Sequence, residues 1–251
     1  AALAAGLDPV GTHFAGTADR VAGVHQISFA GSDPAHPAPR AAHAALAAVL
    51  ALLSSQTAAA GLEPPGYPAA LLGAQPTLAQ PAARSASLGG YLVQLESTSL
   101  GLLARAAGAP LTREREGENV HDWLCMAARE GGKPLRVWAH SSAADGPVNG
   151  VQIEAGGTPD ARCPELPAAM QPVSLGEGLR LGLTRAEVVK RLGPPSHEDG
   201  GWLMYLADRP VPAAPAAAGQ PPRPRAELSI VAVHLAGGRV DRLLASLATD
   251  P

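Results

Sequence analysis

Three histidines close short apolar runs: Val10-Gly-Thr-His13, Val137-Trp-Ala-His140 and Val231-Ala-Val-His234. Imidazole titrates near neutral pH, which suits it to proton transfer and to metal ligation. A His-dependent hydrolase or metal-binding protein built on these residues requires at least two of them to converge in one cleft with a carboxylate. Other polar groupings are weaker. His121-Asp122 offers a His–carboxylate pair with no nucleophile at a defined spacing. Ser196-His-Glu-Asp199 and Arg113-Glu-Arg-Glu116 are expected to be solvated loops, and His36 and His43 have no third ligand nearby. The chain contains no HExxH, phosphate-binding loop, GxSxG elbow or strand-linked GxGxxG. No catalytic residue, metal ligand or cofactor is therefore assigned, and an enzyme is not expected.

Binding offers a better use for the same residues. Along Leu135 to His140, Leu135, Val137 and Ala139 alternate with Arg136, Trp138 and His140, the period of a strand with two unlike faces. The apolar set suits a face covered by helices. The set Arg136, Trp138 and His140 suits an open sheet face, and His234 takes the corresponding place in the last run. Aromatic and Arg side chains anchor protein interfaces, so these four are the candidate partner-binding residues.

The histidine-ended runs belong to a larger pattern. Each is followed by a turn and a second apolar pair, a hairpin signature. Ahead of the last hairpin, Thr184 with Glu187 forms a capping-box signature, Gly193-Pro-Pro195 stops the helix, and Gly201 to Leu206 reads as a strand. Ser99 to Ala107, Gly108-Ala-Pro110 and Trp123 to Met126 repeat that order before the second hairpin, aligning Trp123 with Trp202. Stacked repeats share a core that one unit cannot build alone. The expected fold class is α+β, with tandem helix-plus-antiparallel-sheet units and an additional N-terminal hairpin and Ala-rich helix. The units are 88–160 and 161–251. The latter carries a Pro-rich insertion at 210–225, and the region 1–87 holds a hairpin, a helix over 34–60 and an irregular Pro-rich linker.

The stretch Gly182-Leu-Thr-Arg-Ala-Glu-Val-Val-Lys-Arg-Leu-Gly-Pro-Pro195, with Trp202, Tyr205 and Gly237-Gly-Arg-Val240, resembles the outer-membrane assembly lipoprotein family BamE (SmpA/OmlA). Tandem copies of that unit are similar to the beta-lactamase inhibitory protein fold. The resemblance implies architecture, helices paired with an antiparallel sheet, more than chemistry. The chain departs from the family in having no lipobox Cys near its start and in its Pro-rich insertion.

Composition narrows the class. The 251-residue chain has a net charge of −3, with 16% charged and 3% aromatic residues, against about a quarter charged in typical domains. Its scattered basic residues leave no footprint for nucleic acid. The longest apolar run, Ala44 to Leu53, falls well short of the roughly 20 residues a bilayer requires. Two cysteines, Cys125 and Cys163, either pair or remain thiols. Pairing is the expectation, with an oxidising compartment and a periplasmic or extracellular location after signal-peptide removal. The favoured function is a non-catalytic protein-binding or scaffold protein of a bacterial envelope, inhibitor- or immunity-like or an assembly subunit, with another protein as partner.

Overall fold

Long β-forming runs free of internal glycine dominate the second half of the chain, and they set the architecture. The computed structural model describes residues 62–116, 119–157, 160–212 and 225–249. The hairpin containing His13, the helix expected over 34–60 and most of the 210–225 insertion lie outside the described residues. In chain order the elements are β1 (Ser85–Leu88), β2 (Tyr91–Gln94), α1 (Leu100–Ala107), β3 (Thr112–Glu116), β4 (Asn119–Glu130), β5 (Lys133–Ser141) and β6 (Gly150–Ala155). They continue with β7 (Val173–Leu175), α2 (Arg185–Leu192), β8 (His197–Asp199), β9 (Trp202–Val211), β10 (Arg225–Ala236) and β11 (Arg239–Thr249).

An eight-stranded antiparallel sheet runs in the order β3-β4-β5-β6-β11-β10-β9-β8, and a three-stranded sheet in the order β2-β1-β7. The α+β class expected from the sequence is thereby corrected. Among the described residues strand accounts for 49% and helix for 14%, with two helices and two sheets, so this part of the fold is mostly antiparallel β. The helices stop early, at eight residues each. Gly108 ends α1 in the left-handed region at φ 65°, where glycine carries no Cβ penalty. Gly193 ends α2, and two prolines follow it. The strands run on, with β4 and β10 at 12 residues each.

Two segments expected as loops are strands. Arg113 to Glu116 lies in edge strand β3, and His197 to Asp199 forms edge strand β8. Charge at these positions suits an edge, because it discourages pairing with another chain.

The large sheet has two buried faces. On the first, Leu124, Met126, Leu135, Val137, Ala139, Ile153, Tyr205, Val231 and Leu243 pack with Leu100 and Leu103 of α1, Val188 of α2, and Leu88, Val93 and Leu175 of the small sheet. The helices hold this layer by their caps. Ser99 accepts from the Leu102 amide, and Thr184 and Glu187 complete a capping box, as the sequence signature requires.

Candidate functional site: the second face of the sheet

Residues directly opposite one another on antiparallel strands share a face, so the register places three parallel rows across the second face. One row reads Cys125, Trp138, Gln152, Leu244, Ala232, Met204 and His197. Another reads Trp123, His140, Gly150, Ser246, Ile230 and Leu206. The third, at the margin, reads Arg136, Glu154, Arg242, His234, Trp202 and Asp199.

The expectation that Trp138 stands on an open face is corrected by its burial: the residue is 1% exposed. Residues 62–78, an extended strap with a short 3-10 turn at Ala69–Gly73, lie over the first two rows. Leu62 packs with Trp123, Cys125, Trp138 and Cys163. The Gln152 side-chain amide donates to the Pro65 carbonyl at 2.9 Å, and the Tyr67 hydroxyl donates to Ser246 Oγ at 3.0 Å. Ala70 and Ala74 then join Met204, Leu206, Ala232 and Leu244. The Thr77 and Leu78 amides both donate to the Leu206 carbonyl.

Cys125 and Cys163 form a disulfide, with Cα atoms 4.6 Å apart. It draws the connector after β6 onto the same face, beside Trp123 and Trp138. Those two indoles meet edge to face, with ring centroids 5.5 Å apart, and the Trp123 indole N–H donates to Glu114 at 3.0 Å.

His140 lies beneath the strap. Its ring sits so close to Gly150 that any Cβ there would collide with it, and the Tyr67 ring meets it edge-on at 6.4 Å between centroids. Its Nε2 is buried, with no hydrogen-bond partner among the described residues. Burial holds the imidazole far below its usual range, down to about 4. Neighbouring His121 pushes the same way, and Asn149 pulls it partly back.

The marginal row remains part-exposed. Arg136 and Glu154 form an ion pair at 3.9 Å, with side chains 18% and 22% exposed. His234 Nδ1 lies 2.6 Å from Asp241 Oδ1, and its ring rests against Trp202 with centroids 4.8 Å apart. A β-bulge between His234 and Leu235 shifts the register beside Asp241. Arg242 is exposed and Trp202 is half-buried.

The four residues singled out in the sequence thus separate. Arg136 and His234 lie on the marginal row, whereas Trp138 and His140 lie under the strap. His140 on β5 and His234 on β10 are three strand spacings apart, about 14 Å across the sheet, so they share no cleft. Asp241 fixes the orientation of the His234 ring, as a carboxylate does in acid–base sites. Among the described residues no group of three or more His, Cys, Asp and Glu is placed to hold a metal ion.

Trp202, Asp241, Arg242 and Glu154 were missed by sequence reasoning. A signal was present in Arg239-Val-Asp-Arg242, which follows His234 across a Gly-Gly turn and therefore returns beside it. Comparison with known proteins gave no match: no family model, no characterised protein and no solved structure is similar to the chain.

Proposed function

We propose that the chain is a non-catalytic protein-binding or scaffold protein of a bacterial envelope, periplasmic or extracellular, and that its partner contacts the marginal row of the second face. The observation that carries this reading is the row itself. Trp202, His234, Arg242, Glu154 and Arg136 stand side by side on adjacent strands and stay part-exposed, with Trp202 also resting against the cluster that the strap's Ala70 and Ala74 join. Trp and Arg are over-represented at interface anchors, and sites on strands are held more firmly than sites on loops. The Cys125–Cys163 disulfide supports an oxidising compartment. Trp123 opposite His140 and Trp202 opposite His234 support reading the two halves of the sheet as an internal repeat.

Affinity capture from envelope extract of the source organism tests the reading, with Trp202→Ala/Arg242→Glu beside the wild type. A partner held by the wild type and lost from the double variant is expected. Equal capture by both proteins removes the row from consideration and sinks the proposal. Trp138→Ala does not serve here, because its loss would disturb the fold.

A further inference from the structure

The buried His140 nitrogen has a consequence independent of any partner. A neutral imidazole has one N–H donor and one acceptor, and the protonated ring has two donors. Nε2 is buried and unpartnered among the described residues, so a proton added there creates a charged donor with no acceptor. Burying such a group is strongly unfavourable. The groups around it provide little relief. Gly150 blocks movement into the sheet, the part-exposed Tyr67 meets the ring edge-on from the strap side, and the Tyr67 hydroxyl donates to Ser246. On the hairpin side His121 adds repulsion when it is charged, and Asn149, whose amide N–H donates to Ser142, favours the charged ring but does not offset burial. On β3 the Glu114 carboxylate accepts from the Trp123 indole. The strap and the β5–β6 connection that carries Asn149 both lack strand pairing over most of their length, and it is Tyr67 of the strap that meets the ring edge-on.

We propose that residues 62–78 are an acid-released cover: protonation of His140 lifts the strap, admits water to the ring and exposes Trp138, Gln152 and Leu244. Above the ordinary imidazole value of 6.5 the cover is fully stabilised, and that contribution is lost as pH falls toward about 4. An imidazole at 6.5 when uncovered and about 4 when covered makes opening about 30-fold more favourable at pH 5 than at pH 8.

Amide hydrogen exchange on the full chain reads this directly. The probes are the Thr77 and Leu78 amides, corrected for intrinsic rates and referenced to amides of the β10–β11 ladder. Their relative protection is expected to fall about 30-fold from pH 8 to pH 5 in the wild type. It should stay level in His140→Phe and in His140→Gln. His121→Gln, which leaves the buried ring in place, should retain the response. Constant relative protection in the wild type would overturn the proposal. So would an equal fall in both His140 variants, or loss of the response in His121→Gln.

Discussion

Glu227 shows how single residues tie the layers together. It is 5% exposed on β10 and accepts from Arg209 of β9 at 2.7 Å and from Arg84, just before β1. The small sheet is thereby fastened to the large one through one carboxylate. Burial alone raises its pKa, but the two guanidinium groups outweigh burial and leave it lowered. A lowered carboxylate contributes stability that is complete above its ordinary value and is lost as pH falls. Both arginines are partly in water, with side chains 45% and 31% exposed. Removal of the acid should therefore cost less than the 3–5 kcal/mol of a fully buried pair, about 2 kcal/mol. Glu227→Ala is expected to lower the urea midpoint at pH 7 and to flatten the loss of stability between pH 5 and pH 3. An unchanged midpoint at pH 7 would show the carboxylate to be dispensable.

At the scale of elements, the disulfide and the strap perform related tasks. Both bring segments without regular structure onto the second face, where Trp123 and Trp138 need cover. The bridge closes a separation of 38 residues, worth about 4 kcal/mol through unfolded-state entropy. Cys163→Ser should lower the melting temperature by about 10 °C. Reductant should lower the wild type by a similar amount and leave the variant where it is. The helices show which elements were legible beforehand. Thr184, Glu187 and Gly193 act within a few residues of one another, so the boundaries of α2 could be read from local chemistry alone. The sequence offered the disulfide only as the favoured of two alternatives, because two cysteines can pair or stay thiols until the fold brings Cys125 and Cys163 together. Edge strands β3 and β8 were not, because their charged residues look like loop in sequence and become strand only by pairing with β4 and β9.

For the whole molecule, the decisive feature hidden from the sequence was what covers the second face. The alternation through Arg136, Trp138 and His140 correctly separated two sides of β5, but periodicity does not identify what lies above each side. The cover is a Pro-rich segment with no period, 60 to 76 residues earlier in the chain than Trp138, and only tertiary contact reveals it. One sign was available. Trp202-Leu-Met-Tyr-Leu-Ala207 and Leu243-Leu-Ala-Ser-Leu-Ala248 are apolar almost throughout, the pattern of strands buried on both faces. An open face would have alternated with polar residues. The α+β class of tandem helix-plus-sheet units failed because, among the described residues, the long strands outweigh two short, well-capped helices.

The central claim is that the second face is divided between a part closed by the chain itself and a margin left for a partner. Each tryptophan reports on one side of that division, Trp123 and Trp138 beneath the cover and Trp202 at the margin. Oxidative footprinting at pH 8, with and without envelope extract, measures both sides at once. Trp202 is expected to react fastest and to be protected by extract, whereas Trp123 and Trp138 are expected to react slowly. Trp138 reacting as fast as Trp202, or Trp202 unchanged by extract, would contradict the claim.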